Sequence, residues 1–427
     1  MSNSQVSKGP VTHDGFKGPS SQLDIEKPTT EFPEGGTRAW MVVLGAFCVS
    51  FSTFGYMNAY GVYQDYYTEH FLSNETSSTI SWIGSVQVCF LFAGSLIGGP
   101  LFDRYGASII HAPAIAVALS VMMTSLCQKY YQFMLAQGVL GGIASGMLFA
   151  PVMTCVSHYF QKRRAAALGV VVSGSSIGGV IFPIALSKML ENEHLGFGWS
   201  VRIAGFIILF MVLIGMITLK ERLPPRRGKV LLPAAFIRTP YTLVTLGIFF
   251  MMWGQFTPFF YLPQYAQSHG MGLQLSSYLL SILNAASVFG RILPGIVADR
   301  FGRFNMLIFT SLCTGVLLLC WIRVTSDAAI IVFSVLYGFF SGGIVSLTSP
   351  CIAQVTPSPD QIGTHLGMSL AIVGIAGLTG TPICGALLEK YSSYTQAAVF
   401  SGVVMLFGTI LVTVARFYLK AKLMVIV

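Results

Sequence analysis

Charged residues are scarce in this chain. Asp, Glu, Lys and Arg make up only 10% of its 427 residues, whereas soluble domains carry about 25%. Hydrophobic residues account for 54%, and the mean hydropathy is +0.70. This composition excludes an ordinary water-soluble domain and indicates an integral membrane protein.

The sequence also lacks the motifs of membrane enzymes and pumps that bind nucleotides or metals. A phosphate-binding loop needs Lys followed by Ser or Thr, but here Gly228-Lys229 is followed by Val230. A zinc protease needs HExxH, and no His-Glu pair occurs. We therefore expect no enzymatic activity, no cofactor and no metal site.

The eight cysteines show no metal-ligand spacing. All of them fall in or at the ends of apolar segments, and they are Cys48, Cys89, Cys127, Cys155, Cys313, Cys320, Cys351 and Cys384. We interpret them as small core residues rather than as disulfide partners or ligands.

Long apolar runs recur along the whole chain. A membrane-spanning helix needs roughly 20 mostly apolar residues, because its backbone hydrogen bonds must be satisfied internally. Such runs cover residues 39–63, 80–102, 107–127, 131–157, 165–188, 199–219, 241–265, 276–298, 304–323, 328–353, 363–388 and 394–418. They predict an all-α integral membrane fold with about twelve transmembrane helices.

The basic residues are distributed unevenly between the two predicted membrane faces. Most of the 25 Lys and Arg residues fall on the side of the predicted termini, and Arg291 falls inside a helix. The opposite side has Lys129, Lys188, Arg202, Arg323 and Lys390. This imbalance follows the positive-inside rule and places both termini in the cytoplasm. Topology thus explains the formal net charge of +9, and we expect no nucleic-acid partner.

One short motif occurs twice. GGPLFDRYGAS places Asp103 beside Arg104, and GRILPGIVADRFGR places Asp299 beside Arg300, 196 residues later. A parallel internal repeat of this kind is typical of secondary transporters. It predicts two six-helix pseudo-repeats.

The repeat and the composition together predict five regions. These are a disordered cytoplasmic tail at 1–37, an N-terminal six-helix bundle at 38–219, a basic cytoplasmic linker at 220–239, a C-terminal six-helix bundle at 240–418 and a cytoplasmic C-terminus at 419–427. The tail is polar and has no apolar stretch of signal-peptide type.

The duplicated loops are candidate gating elements. A glycine allows a tight turn, and an aspartate meets the partial positive charge of a helix N-terminus favourably. We predict that the loops act as a latch on the cytoplasmic side, through Asp103, Arg104, Gly106, Asp299, Arg300 and Gly302. The alternative is that they serve only membrane insertion and turn formation.

The ordered set of motifs resembles the monocarboxylate-porter branch of the major facilitator superfamily, especially its fungal members. The resemblance rests on EGGTRAWMVVLGAF at 34–47, YFQKRRAAALGVVVSGSSIGGVIFP at 159–183, YGFFSGGIVSLTSP at 337–350 and the two DR[YF]G loops. It implies the superfamily fold and movement of a small organic solute through a central cavity by alternating access.

Two positions depart from the family members that cotransport protons with lactate-like acids. Those members have a lysine in helix one where this chain has Asn58, and an acid where Ser287 precedes Arg291. The acids of this chain are all predicted in the tail, in loops or at helix ends. We therefore expect facilitated or weakly proton-coupled transport, unless the substrate or a histidine such as His365 carries the proton.

Arg291 is the candidate centre of the substrate site, because an intramembrane charge is costly and should face a cavity. The alternatives are snorkelling to the interface and a structural pair with a neighbouring helix. Uncharged polar and aromatic side chains complete the candidate set, which adds Asn58, Asn284, Ser287, Tyr60, Gln255 and Tyr261. For these residues, interhelical hydrogen bonding is the competing explanation.

The functional expectation is a secondary transporter for a monocarboxylate-like organic anion or a larger amphipathic metabolite, most naturally at the plasma membrane. An efflux carrier for a secondary metabolite is one alternative, and a non-transporting nutrient sensor is another. Asn74, in an Asn-Glu-Thr sequon, is a candidate glycosylation site in an external loop. Beyond the solute and the membrane lipids, we expect no obligate protein partner.

Overall fold

The computed structural model describes residues 32–192, 194–224 and 231–419. The predicted tail before residue 32, residues 225–230 of the linker and residues 420–427 lie outside the described residues. All regular secondary structure in the described part is helical. The predicted division into two bundles stays a prediction, and below "first half" means α1–α6 and "second half" means α7–α12.

Twelve transmembrane helices follow one another in the part of the chain that the structure describes. They are α1 (Thr37–Phe71), α2 (Ser77–Ala93 and Ser95–Tyr105), α3 (Gly106–Ile110 and His111–Thr124), α4 (Tyr130–Ser157), α5 (Arg164–Leu190), α6 (Gly196–Thr218), α7 (Thr239–Ser268), α8 (Leu273–Phe301), α9 (Arg303–Cys320), α10 (Asp327–Val355), α11 (Ile362–Tyr391) and α12 (Tyr394–Leu419).

The boundary between α2 and α3 is a turn at Gly106. By length and composition, eleven segments among the described residues can span a membrane, and one of them, Thr79–Thr124, is 46 residues long. A straight helix of that length would measure about 69 Å, more than twice the hydrocarbon thickness. Gly106 has φ 73° and breaks this segment. The segment therefore contributes two of the twelve helices.

Helix α1 is longer than predicted. Its apolar run was expected to end at residue 63, but the helix continues to Phe71 through the polar, aromatic stretch YQDYYTEHF. The reason is tertiary packing, since Tyr63 and Tyr67 are fully buried and Tyr67 packs on Phe133 at 4.1 Å between ring centroids. Burial of aromatic rings extends the helix where the apolar pattern stops.

The first helix of each half is interrupted within the membrane. In α1, a π-helical stretch at Phe51–Gly55 is followed by a turn at Asn58 and Ala59. In α7, regular helix ends at Gln255 and restarts at Thr257 with Pro258 in its first turn. Such breaks free backbone groups and are tolerated in membranes where they border a cavity or other helices.

The two halves meet at close helix crossings. A Cβ atom added to Gly295 of α8 would lie 2.6 Å from the Ala165 carbonyl oxygen of α5. One added to Gly99 of α2 would lie 2.0 Å from the Gly363 carbonyl oxygen of α11. Only glycine permits this distance, so the pairs α5/α8 and α2/α11 pack backbone against backbone.

Candidate functional site

One membrane-parallel face of the molecule carries the two duplicated loops together with the described chain ends, and we call it the terminal face. Its opposite is the distal face. On the terminal face, Asp103 at the end of α2 is buried. Its Oδ1 accepts from the Gly363 N–H at 3.1 Å, and its Oδ2 accepts from the Thr364 N–H at 2.6 Å and the Thr364 hydroxyl at 2.7 Å. Asp103 therefore caps the first turn of α11, in the other half.

Asp299 makes the equivalent contact in the reverse direction. Its Oδ1 accepts from the Ala165 N–H at 3.0 Å and its Oδ2 from the Ala166 N–H at 2.8 Å. These residues lie in the first turn of α5, in the first half. A carboxylate at a helix N-terminus satisfies otherwise unpaired N–H groups and meets the positive end of the helix dipole. Two reciprocal caps thus join the halves on the terminal face.

The other gating candidates divide into turn residues and exposed arginines. Gly106 and Gly302, with φ 73° and 99°, form the turns that follow the two acids. The side chains of Arg104 and Arg300 are exposed, and Arg104 lies over the Tyr105 ring at 5.5 Å. Among the residues that the structure describes, the cross-half bonds come from the acids of the motif and not from its arginines.

Two further acids cap helix starts on the terminal face, and the sequence did not predict them. Glu34 was placed in the tail, but its carboxylate accepts from the N–H groups of Gln161, Lys162 and Arg163 at 2.8, 2.6 and 3.1 Å. Glu221 accepts from the Ala107 N–H at 2.9 Å. One sequence feature could have singled out Glu34. It is the first residue of EGGTRAWMVVLGAF, one of the motifs on which the family resemblance rests.

A cavity of about 390 Å³ extends from the middle of the membrane towards the distal face. Aromatic and amide side chains dominate its wall, which includes Phe54, Asn58, Tyr60, Gln64, Phe256, Phe259, Phe260, Tyr261, Gln264 and Gln267. We call it the distal cavity. Its position, with the reciprocal caps on the other face, is that of a transporter closed on the terminal side.

Asp65 is the one charged residue lining the distal cavity within the described part of the chain. The sequence placed Asp65 in a loop or at a helix end, beyond the apolar run of α1, and the structure places it near the distal end of α1, six residues before Phe71. The residue belongs to the helical segment Tyr60–Tyr66 inside the spanning helix α1. The difference follows from the early end predicted for α1, which left Asp65 outside the helix.

A second, closed cavity lies deeper, between the halves. It has about 20 Å³ of space, which is room for roughly one water molecule. Phe54 of α1 and Phe256 of α7 line both this central cavity and the distal cavity. The two rings, placed at the helix interruptions, therefore form the partition between the two cavities.

Arg291 lines neither cavity in this conformation. Its side chain is 1% exposed, and Nη1 donates to the Val172 carbonyl oxygen at 2.7 Å and to the Ser175 hydroxyl. Both of these residues belong to α5 and line the central cavity. Its Nε has no hydrogen-bond partner among the described residues. The guanidinium thus lies directly behind the wall of the closed cavity, held by the opposite half.

Asn58 and Asn284 meet at Gly179 of α5. A Cβ atom added there would lie 3.0 Å from both Asn58 Nδ2 and Asn284 Oδ1. Asn58 Nδ2 donates to the Phe54 carbonyl oxygen at 2.9 Å, while the buried Asn284 Oδ1 has no partner among the described residues. The structure therefore brings these two candidates together, and Asn58 also lines the distal cavity.

The remaining candidates make hydrogen bonds between helices. The Tyr60 hydroxyl donates to the Ile80 carbonyl oxygen at 2.5 Å, and the Tyr261 hydroxyl to that of Thr381 at 3.0 Å. Gln255 Nε2 donates to the Ser341 carbonyl oxygen at 3.2 Å.

The Ser287 hydroxyl accepts from that of Ser176 at 3.2 Å. Tyr60 and Tyr261 line the distal cavity, whereas Gln255 and Ser287 line neither cavity.

Asn74, the candidate glycosylation site, is exposed in the loop between α1 and α2.

Several known proteins are similar to this chain. An aspyridones efflux protein from Emericella nidulans is 56% identical over 89% of this chain and 78% of its own length. An agnestins efflux protein from Paecilomyces divaricatus is 42% identical over 93% of this chain and 91% of its own length.

Solved structures share the fold at low sequence identity. The human organic anion transporter MFSD10 superposes with a TM-score of 0.70 at 16% identity, covering 88% of this chain and all of that one. The transporter FucP in its outward conformation gives a TM-score of 0.67 at 17% identity, covering 88% and 99%. The profile of the Major Facilitator Superfamily matches residues 42–358 and 295–423. The chain is therefore an integral, multi-pass membrane protein that belongs to the Major Facilitator Superfamily.

Proposed function

We propose that this protein is an efflux carrier that moves an organic secondary metabolite across a membrane by alternating access. The observation that carries the mechanism is the pairing of a terminal face closed by two reciprocal caps with a cavity on the distal side. The printed names of the relatives support the direction, since two of them are efflux proteins for aspyridones and agnestins. The efflux alternative thus has more support than a carrier of undecided direction.

The gating proposal assigns the closed state to Asp103 and Asp299. Each carboxylate bonds backbone N–H groups that belong to the other half. Opening the terminal face separates α2 from α11 and α8 from α5, so both sets of bonds must break. Hydrogen bonds to a charged group contribute about 1.5–3 kcal/mol each. The two caps therefore supply a substantial part of the preference for this conformation.

The cargo proposal follows from the lining of the distal cavity. A volume of about 390 Å³ lies within the usual range of roughly 300–1,000 Å³ for small-molecule sites. Phenylalanine and tyrosine rings suit a conjugated, largely apolar body, and the amides of Asn58, Gln64 and Gln264 suit its polar groups. A larger amphipathic metabolite fits this wall better than a compact inorganic ion.

Arg291 is proposed to bind an anionic group of the cargo once the central cavity opens. In the closed state Val172 and Ser175 hold its Nη1, and the described residues offer it no ion pair. A cargo carboxylate or enolate would supply the counter-charge that is missing. Movement of α8 away from α5 would release the guanidinium from the first half at the same time.

Coupling to protons is proposed to be absent or weak. Asp65 is a carboxylate in a spanning helix, but it lies towards the distal end of α1 and lines the distal cavity, which Arg291 does not. His365, the other candidate, lies in the first turns of α11 with its Nδ1 2.9 Å from the Gln361 carbonyl oxygen. Location in the plasma membrane, cytoplasmic termini, glycosylation at Asn74 and placement near the monocarboxylate-porter branch remain parts of this proposal.

Transport assays in proteoliposomes test the proposal. Vesicles with and without a proton gradient would be supplied with lactate, pyruvate, riboflavin, aromatic acids and the aspyridones named for the 56% identical relative. We expect saturable flux of a larger metabolite that ignores the gradient and is reduced in Arg291→Ala. Gradient-driven flux of lactate alone would refute both the cargo and the mechanism. Binding without any flux would favour the sensor alternative.

A further inference from the structure

We propose that the terminal face contains a second ligand site, distinct from both membrane cavities, for a phosphate-bearing anion that bridges the two halves. The site is a cavity of about 740 Å³, larger than the distal cavity. We call it the terminal vestibule. Its wall comes from the α4–α5 loop, the end of α8, the start of α9 and the connection between α10 and α11.

The terminal vestibule has an excess of positive charge. Lys162, Arg164 and Arg303 line it, and the acid that lines it is Asp299. Both oxygens of Asp299 already accept N–H groups at the start of α5, and Arg303 Nε lies 3.6 Å from Oδ1. With three cationic residues and one acid, the wall itself carries a formal net charge of 3 − 1 = +2.

The neighbouring acids Glu34 and Asp360 lie outside the wall of the vestibule, and Glu34 offsets part of the charge of Arg164. Glu34 is bonded to three backbone N–H groups of the α4–α5 loop, and Asp360 accepts from the Ser358 hydroxyl. Burial lowers the pKa of His158, at the end of α4, to about 4, so that this imidazole is neutral at physiological pH.

Donors remain for an incoming anion. Arg164 uses Nε for the Phe160 carbonyl oxygen and Nη2 for that of Ser157, and its Nη1 has no hydrogen bond to another described residue. Arg303 uses Nη2 for the Gln161 carbonyl oxygen and Nε for Asp299, and within the described part of the chain its Nη1 also has no hydrogen bond. Lys162 has an exposed side chain.

The arrangement favours a multivalent anion over a simple carboxylate. A basic face alone would follow from membrane topology, but this vestibule is concave and collects cations from both halves. Lys162 and Arg164 belong to the first half and Arg303 to the second. A phosphate dianion can pair with more than one of them, as phosphate commonly does with arginine and lysine. The source is either a phosphoinositide headgroup or a soluble organic phosphate, because both present the same group.

Occupation of the vestibule has a predicted effect on the transporter. The anion would join the α4–α5 loop to the start of α9 beside the Asp299 cap, and this geometry exists only while the terminal face is closed. A ligand that binds one conformation stabilises it by mass action. We therefore expect the anion to favour the conformation with the distal cavity open; this second step depends on the gating proposal above, whereas the binding step does not.

The test uses the full-length protein in phosphatidylcholine nanodiscs. One arm titrates inositol trisphosphate, and the other compares nanodiscs with and without phosphatidylinositol 4-phosphate, with thermal unfolding as the binding readout. The variants are Lys162→Gln and Arg303→Gln, and the control is Arg238→Gln, an exposed arginine of the same face outside the vestibule wall. Lys162→Gln keeps the backbone bond to Glu34, so its folding should be intact.

Binding should weaken about fivefold for each cation removed from the wall, corresponding to about 1 kcal/mol per residue. The control should bind as the parent does. Stabilisation by the lipid alone identifies a headgroup site, and stabilisation by the soluble phosphate alone identifies a cytosolic ligand. No binding in either arm, or equal loss in all three variants, would overturn the proposal.

A separate readout addresses the conformational step. In Gln264→Cys, the new thiol lines the distal cavity, and a membrane-impermeant maleimide should label it faster when the vestibule is occupied. Binding without faster labelling would retain the site and refute its effect on gating. Neither measurement uses the cargo, so a failure of the proposed transport function would leave both results interpretable.

Discussion

Replacing Asp103 by asparagine isolates one of the two reciprocal caps. The carboxylate accepts two N–H groups and one hydroxyl from α11, and an amide provides only one acceptor oxygen. The substitution also removes a charge from a helix N-terminus, which costs about 0.3–1 kcal/mol and up to ~2 when partly buried. Together with a weaker or lost hydrogen bond of about 1 kcal/mol, the closed terminal face loses roughly 2–3 kcal/mol.

This loss applies only while the terminal face is closed, because α2 and α11 separate when it opens. The ratio of the two conformations should therefore shift by about 30- to 150-fold towards the state open on the terminal side. Maleimide labelling of Gln264→Cys in the distal cavity measures that ratio, and its rate should fall in the Asp103→Asn background. Circular dichroism and gel filtration establish that the variant is folded.

The second cap supplies the matched comparison. Asp299→Asn should shift the ratio in the same direction, and the effects of the two substitutions should add, since α2/α11 and α8/α5 are separate contacts. Arg104→Gln changes an exposed neighbour and should have a much smaller effect. A folded Asp103→Asn, Asp299→Asn double variant that labels at the parental rate would refute the assignment of these acids to the closed state.

Three further outcomes follow from contacts described above. Arg291→Ala should raise the half-saturation concentration of an anionic cargo at least tenfold, about 1.4 kcal/mol, and unchanged kinetics would reduce Arg291 to a packing residue. Glu34→Gln should lower the thermal midpoint in detergent, because about 1–3 kcal/mol of loop capping is lost; a midpoint equal to that of the parent would contradict the capping role. Gly295→Val should prevent closure of the terminal face, since its Cβ would lie 2.6 Å from the Ala165 carbonyl oxygen, and unchanged labelling of Gln264→Cys would show that α5 and α8 have room to adjust.

The number of helices and the positions of the duplicated loops were predictable because they depend on local pattern. The length of an apolar run determines where a helix can span a bilayer, and the Asp-Arg repeat can be read directly from the amino-acid sequence. What could not be predicted is which helix each acid reaches, since Asp103 and Gly363 are 260 residues apart. The true length of α1 was also missed, because buried tyrosines rather than an apolar run extend it.

The candidate binding residues show the same limit. Sequence reasoning found that Arg291 and the two asparagines are polar groups in apolar helices. It could not show that Arg291 is held by α5 in this conformation, or that Asn58 and Asn284 meet at Gly179. These contacts depend on which face of the transporter is closed. The same sequence adopts both conformations, so no local sequence pattern indicates which of the two a structure will show.

The caps between the halves consist almost entirely of one side chain against another segment's main chain. Ala165 and Ala166 offer Asp299 only their amide groups, which every residue except proline possesses. Gly363 must stay small, because a Cβ there would lie 2.5 Å from Asp103 Oδ1, but it need not match the acid chemically. Substitutions at Asp299 and at its partners should therefore drift independently during evolution, and a search for correlated positions would miss this contact between the halves.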